Sequence, residues 1–401
     1  MSEASHPMRY RQQLSVPFAY DVVFTRGLFA PDNLTLAESL PHADGPAKAA
    51  VFIDQGVLKR RPDLPEAIEA WTRAHPEALA LRGGPVAVPG GEAVKNDLTF
   101  VQRMTHQFQR FELDRHNYVI AVGGGAVLDA VGLAAAVFHR GLRLVRVPTT
   151  VLSQNDSGVG VKNGINLDGV KNLIGTFAPP FAVLSDLEFL ADLEDRDWFS
   201  GLAETFKVAL IKDAALLDEL EALAPRLVAR DLDAMERMVV RCALLHLEHI
   251  RGGGDPFEFG SARPLDFGHW SAHKLEALTH HELRHGEAVA IGIALDLYLA
   301  EGLGLLGAAA RERVLDAMAA CRLPLWHDAL LRRNGVTGAL KVVEGLEEFR
   351  QHLGGRLTLT MPDGLGRKIE IHELAPERIE AAVEALKTRA QTVHNPLPAK
   401  P

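Results

Sequence analysis

The feature that most restricts the fold of this chain is a change of hydrophobic period near residue 185. Before it, apolar runs such as "KAAVFIDQGV", "VAVPGGE", "NYVIAVGGG", "RLVRVPTT" and "FAVLSDLEFL" alternate with helix-like segments such as "LPEAIEAWTRA" and "AVLDAVGLAAAVFH". Strands followed by helices in this rhythm favour a parallel sheet covered on both faces. Beyond it, "SGLAETFKVALIKDAALLDELEALAPRLV", "LDAMERMVVRCALLHLEHI", "HGEAVAIGIALDLYLAEGLG" and "AARERVLDAMAAC" carry the apolar period of helices. The expectation is an α/β domain over 1–185, a mainly helical domain over 186–390 and a loose tail over 391–401.

A chain of 401 residues is long enough to bury two cores. Its formal net charge of −9 argues against a nucleic-acid-binding protein, although local basic groups can still hold a small phosphate. The two cysteines, Cys242 and Cys321, are too few for a disulfide framework and fit a reducing compartment. The start "MSEASHPMRYRQQLS" lacks the apolar stretch of a signal peptide, and no run has the length needed to span a bilayer. These features point to a cytoplasmic enzyme or binding protein with no membrane partner.

In "VIAVGGGAVLDAVG", Gly123, Gly124 and Gly125 follow an apolar strand and precede a helix. Glycines there let the backbone approach a pyrophosphate, which a helix N-terminus favours. A tight turn with no ligand would use the same residues, and Asp129, one turn on, reads equally as a solvated face residue. The stretch "VPTTVLSQNDSGVGVKNGINLDGVKNLIGTF" adds Thr149, Thr150, Ser153, Asp156, Lys162, Lys171 and Asn172 in glycine-rich, loop-like surroundings. Two lysines and an asparagine on loops at strand ends suit a phosphorylated ligand, since ammonium groups offset phosphate charge.

Five of the seventeen histidines fall within "PLDFGHWSAHKLEALTHHELRHGE", residues 264–287. His269 and His273 are four apart and share a helix face, and they are the first ligand pair that spacing suggests. His285 opens another helical run, and "GLAETFK" places Glu204 and Lys207 one turn apart on a third. Two histidines and a carboxylate with an open position would make a catalytic zinc site. "HWSAH" lacks the glutamate of the H-E-x-x-H zinc proteases, and His280 and His281 read as solvated turn residues.

Seven motifs, in order, resemble 3-dehydroquinate synthase and its sugar phosphate cyclase relatives: GGGxxxD (123–129), RG (140–141), VPTTxLSQxDSxVGxK (147–162), GxKNxIGxF (169–177), SGLAExxK (200–207), GHxxxHxxE (268–276) and HGEAVAIG (285–292). The resemblance implies a Rossmann-like NAD-binding α/β domain, a helical metal-binding domain, and an active site in the cleft between them. It implies Glu204, His269 and His285 as zinc ligands, with cobalt an alternative ion, and so turns His273 from a ligand into an acid/base and phosphate contact. Asp54, Glu92, Lys95, Gly124, Gly125, Asp129, Thr149, Thr150, Leu152 and Lys171 match NAD-contact positions, while Asp156, Lys162, Asn172, Lys207 and His273 match the substrate-binding and catalytic set. Arg140 matches an arginine that reaches a neighbouring subunit's site, which implies a homodimer. In the family, NAD+ oxidises a substrate hydroxyl, phosphate is eliminated, the NADH reduces the ketone back, and the released enol closes a carbocycle by aldol addition. The outcome is that of a lyase, with NAD regenerated.

The sequence departs from dehydroquinate synthases where the substrate carboxylate would bind. Asp266 stands where they carry Asn, Ala262 where they carry Arg (with Arg263 displaced by one), and Gln351 and His352 where a lysine pair is expected. A lysine expected in the preceding helix is replaced, with His246 and Glu248 as candidates for its place. A carboxylate needs Arg or Lys, and Asp266 would repel it. Asp266 and His352 resemble cyclases acting on sedoheptulose 7-phosphate, which has no carboxylate, and "RPLDFGHWSAHKLE" also resembles the EboD-like bacterial branch. The leading expectation is a sugar phosphate cyclase taking a heptulose 7-phosphate. The alternatives are 3-dehydroquinate synthase itself using Arg263, a zinc-dependent polyol dehydrogenase, and a non-catalytic binding protein.

Overall fold

A computed structural model of the chain describes residues 9–41, 45–168, 170–252, 257, 264–352 and 355–392. The strands of the first half are β1 (Asp21–Thr25), β2 (Ala47–Asp54), β3 (Leu79–Leu81), β4 (Val86–Val88), β5 (Tyr118–Gly123), β6 (Arg143–Pro148), β7 (Lys162–Leu167), β8 (Val170–Phe177) and β9 (Ala182–Asp186). Seven of them form one sheet in the order β1-β9-β6-β5-β2-β3, with β4 also on β2. Every pairing in it is parallel. Both faces are covered, as the strand sequences require. In β2, Ala49, Val51 and Ile53 join one apolar cluster with Ile68 and Trp71, while Ala50 and Phe52 join another with Phe100, Met104 and Phe108. The register sets Val122 beside Val147 and Gly123 beside Pro148, so the carboxyl ends of β5 and β6 finish together. That is the edge on which open α/β sheets bind ligands.

The glycine-rich stretch after residue 160, expected as loop, is an antiparallel hairpin of β7 and β8. Its glycines serve close pairing, since Gly164 faces Gly175 and a Cβ on Gly175 would lie 2.6 Å from the Asn163 carbonyl oxygen. Lys171 and Asn172 therefore stand on a strand, and Lys162 opens one.

The core of the second half takes in almost everything apolar from Leu187, directly after β9, onward, and is joined by Val151 from the first half. Its centre is the helix His285–Gly302, whose residues from Gly286 to Leu297 are all buried. A helix apolar all round belongs inside a bundle. Helices Leu202–Lys212, His269–Leu278, Ala308–Ala320 and Pro376–Thr392 pack on it. The last of these carries helix into the first two residues of the expected tail, and 393–401 lie outside the described residues. A final hairpin pairs β10 (Leu359–Pro362) with β11 (Lys368–Ile371). No helix among the described residues is long and apolar enough to cross a membrane.

The two halves meet at residues 148–158. Gln154 Nε2 donates to the carbonyls of Pro148 and Asp186 at 3.0 and 2.8 Å, and Asn155 Nδ2 donates to Gly201 O at 3.0 Å. One turn of π-helix, Ser153–Ser157, turns Asp156 toward the helical half.

Candidate active site

Three helices of the second half converge on one point. Glu204 lies on Leu202–Lys212, fully buried; His269 opens His269–Leu278; His285 opens His285–Gly302. One ligand atom from each lies within 4.8 Å of the other two. His269 Nε2 and His285 Nε2 stand 3.5 and 3.7 Å from Glu204 Oε1, and neither buried oxygen of Glu204 has a hydrogen bond of good geometry. A buried carboxylate with one oxygen against the Lys207 ammonium and the other facing two imidazole nitrogens is a donor set that fits a divalent cation, and with borderline-soft nitrogen and one oxygen it suits zinc. The outer nitrogens are also held. His269 Nδ1 bonds the carbonyl of Phe267 at 3.0 Å, and His285 Nδ1 bonds Glu276 Oε2 at 3.2 Å. These bonds leave each Nε2 for a metal.

A second group, His273, Glu276 and His285, also lies within 4.8 Å. There both oxygens of Glu276 are already engaged, one by Lys171 and the other by His285 Nδ1. The first set fits an ion better. The His269/His273 pairing suggested by spacing gives way because the His285 helix, not the next turn of the same helix, faces Glu204. Burial pushes His273 well below the ordinary histidine value, because a charged imidazolium is disfavoured there, and this holds its ring in the neutral form. His280 and His281 are exposed, in left-handed turn conformations.

Charge continues outward from Glu204. Lys207 pairs closely with Glu204 and sits 3.5 Å from Asp156 Oδ1, which also bonds His246 Nδ1 at 2.9 Å. Burial opposes the Lys207 ammonium, but Asp156 and Glu204 hold it above the usual lysine range. Burial likewise opposes the Glu204 carboxylate, yet Lys207 and His269 hold it down to about 2. Asp266 lies near this group, and its Oδ2 is buried without a hydrogen-bond partner.

The sheet's carboxyl edge supplies a second site. Gly124 caps the helix Gly125–Val137, and a Cβ on Gly125 would come 2.5 Å from Ser157 Oγ, a buried hydroxyl with no partner. Half-buried glycines at a helix N-terminus beside an unsatisfied hydroxyl are the parts from which a pyrophosphate cradle is built. Thr149 N donates to Gly123 O at 3.1 Å, and Thr150 Oγ1 and Ser153 Oγ lie 2.9 Å apart, fixing the strand end beside it; Leu152 follows. Asp54, at the end of β2, accepts from Gly56 N at 2.6 Å. A 3₁₀ turn, Glu92–Asn96, brings in Lys95, whose ammonium bonds Asp129 at 2.7 Å and Asn172 at 2.6 Å. Asn166 ties Glu92 to the Asn172 backbone. Lys171 bridges to Glu276 at 2.6 Å, joining the two sites.

Among the expected residues, Arg140 stands apart. It ends the crossover that leaves β5 at its carboxyl edge and enters β6 at its amino edge, it is exposed, and its φ is +65°. Arg263 lies outside the described residues, as does the side chain of His352. Sequence reading gave Glu276 no role, although it shares a helix face with His269 and His273 at spacings of seven and three. It also gave none to Asp296, which accepts from Gly268 N at 3.0 Å and Trp270 Nε1 at 2.8 Å and so braces the start of the His269 helix. Arg146 was missed too, since nothing local marks a strand arginine as fully buried.

Comparison with known proteins shows the family of the chain. Residues 85–200 match the model of the 3-dehydroquinate synthase N-terminal family, and 201–342 that of the 3-dehydroquinate synthase C-terminal family. The chain is 33% identical over 386 residues to a 2-epi-5-epi-valiolone synthase of Streptomyces albus, covering 94% of this chain and 89% of the relative. It is 34% identical over 313 residues to a 3-dehydroquinate synthase of Rhodopirellula baltica, covering 78% and 81%. The solved 2-epi-5-epi-valiolone synthase of Streptomyces hygroscopicus subsp. jinggangensis, with NAD+ and Zn2+ bound, superposes with a TM-score of 0.83 at 32% identity, covering 95% of this chain and all of that one.

Proposed function

Because the chain belongs to the 3-dehydroquinate synthase family, we propose that it is an NAD- and zinc-dependent sugar phosphate cyclase of the carbon–oxygen lyase class. It converts a heptulose 7-phosphate, sedoheptulose 7-phosphate in our reading, into a carbocycle by phosphate elimination and aldol closure. The observation that carries the substrate is Asp266. Its buried, unpartnered Oδ2 needs a donor, which a substrate hydroxyl supplies and a substrate carboxylate does not. Relatives named as valiolone synthases point the same way.

Glu204, His269 and His285 would hold zinc, or cobalt in its place, and the 54, 92–95, 124–129, 149–152 and 171 positions would hold NAD. When bound, the ion polarises a substrate oxygen and the nicotinamide exchanges a hydride with the neighbouring carbon. The chain's own groups do the rest. Lys207, charged between two carboxylates, fixes Asp156 toward the substrate. Neutral His273 accepts a proton at its ring nitrogen, and Lys162 and Asn172 meet the phosphate whose charge grows as it leaves. Arg140 stands exposed at the edge of the sheet opposite its own site, so we assign it to a partner's site in a homodimer. The unit boundary near 185 and a cytoplasmic setting complete the reading, the latter supported by two buried, unpaired cysteines.

The test follows phosphate release and NADH absorbance for the zinc-loaded protein with NAD+. Release from sedoheptulose 7-phosphate without net NADH is expected. Release from 3-deoxy-arabino-heptulosonate 7-phosphate alone would make it a dehydroquinate synthase, and net NADH from a polyol without phosphate release would make it a dehydrogenase.

A further inference from the structure

Glu276 belongs to both halves of the site. Its side chain is 3% exposed, its Oε1 takes the Lys171 ammonium at 2.6 Å from β8, and its Oε2 takes His285 Nδ1 at 3.2 Å. Its own helix starts with His269. A carboxylate behind a metal-binding histidine raises that imidazole's basicity and holds its ring. Here the same carboxylate also carries an ammonium, which offsets part of its charge. Lys171 has an alternative neighbour within its own half, Glu92 Oε1 at 3.9 Å, and its side chain is 19% exposed. It can therefore leave Glu276 without losing every acidic partner, while the direct ion pairs of Glu276 among the described residues are with Lys171 and His285, Lys95 acting on it only from farther off.

We propose that Glu276 is a positioning residue through which the dinucleotide and metal sites are thermodynamically coupled. A bound dinucleotide engages Lys171 and draws it from Glu276; Glu276 then acts on His285 alone, and the metal binds more tightly. Linkage makes the effect mutual, so the metal tightens the dinucleotide by the same factor. This rests on the reading of Lys171 as a cofactor contact. A bridge that merely fastens the halves would change stability on removal and would leave the two affinities independent.

The experiment uses the full chain stripped of metal. Zinc affinity is measured by chelator competition with and without NAD+, and NAD+ affinity by calorimetry with and without zinc. In the wild type each ligand should tighten the other by about tenfold, the lower end of the range for outer partners of metal histidines. Glu276→Gln should bind zinc more weakly and lose the mutual effect. Lys171→Gln should hold zinc at the tighter level whether or not NAD+ is present. Binding of both ligands to the wild type with no mutual effect, or coupling that survives in Glu276→Gln, overturns the inference alone. NAD+ that binds at neither zinc level overturns the cofactor reading and the inference with it.

Discussion

Replacing Gly292 by Ala should damage the metal site from a distance. On propensity alone, alanine within a helix is favoured over glycine by about 1 kcal/mol. Packing opposes it, because a Cβ on Gly292 would lie 2.0 Å from Gly268 O and 2.9 Å from Ser271 Oγ. Since Cβ atoms do not approach other heavy atoms closer than 3.0 Å, the two helices must part by about 1 Å. Gly268 cannot take up that shift by turning, for it is held at φ +79° with Ile293 N 3.0 Å from where its own Cβ would stand. The displacement passes to His269, the next residue, whereas metal–ligand distances hold to roughly 0.2 Å. Zinc affinity should fall on the order of tenfold to a hundredfold, and stability by about 1–3 kcal/mol with the fold retained. Chelator competition and urea unfolding of the metal-free protein read the two effects separately. Gly302→Ala, on the same helix with nothing within 4 Å of its Cβ, is the control and should keep its zinc. Wild-type zinc affinity in Gly292→Ala, or equal loss in the control, would refute the argument.

Other consequences can be checked in the same way. Arg146→Met strips the donors from Gly158 O, Gly160 O, Lys162 O and Asn163 Oδ1, and should cost roughly 3 kcal/mol or more; a loss under about 1 kcal/mol in denaturant titration would deny that brace. Glu204 is held down to about 2 from 4.5, so its contribution is present above pH 4.5 and is lost as pH falls toward 2. Metal-free wild type should lose on the order of 3 kcal/mol across that window, and Glu204→Gln should show a flatter acid profile. Asp266→Asn should lower kcat/KM for sedoheptulose 7-phosphate by about tenfold to a hundredfold and raise it for the carboxylated precursor; equal changes for both would sink the specificity role. Arg140→Ala should keep its Tm and lose phosphate release, and mixing it with Glu204→Gln should restore about a quarter of the sites; no recovery on mixing would place Arg140 in its own subunit's site or nowhere near one.

Much of the scaffold could be read from the chain because the information was local. Tyr118–Gly123 is apolar at every position since both faces of its strand are covered, and the glycines after it mark where backbone must stay bare. The β7–β8 hairpin escaped notice because half of β8 faces solvent and its glycines imitate a loop. The site divides along the same line. Lys207 follows Glu204 by one helical turn, so that pair is visible in sequence; Asp156 and His246 come from a π-turn and a helix ninety residues apart, and only tertiary structure sets them 2.9 Å from each other.

The motif HGEAVAIG shows why chemistry and packing are hard to separate before the structure is seen. His285 offers its ring nitrogen to the proposed metal site. Gly286 and Gly292 are there for what they lack, since a Cβ would come 2.2 Å from Ser200 O at the first and 2.0 Å from Gly268 O at the second. Both contacts fall on segments that carry the other metal-site groups, one just before the Glu204 helix and one just before His269. Glu287 adds a third tie, closing the helix start through the Arg284 backbone and pairing with Arg196 on the element that leads to Glu204. In the proposed metal site a single helix would therefore provide one ligand and set the distance to the two others through its glycines. Changing a glycine there moves a ligand, and for that reason the loss of metal in Gly292→Ala should exceed what its modest loss of stability would suggest.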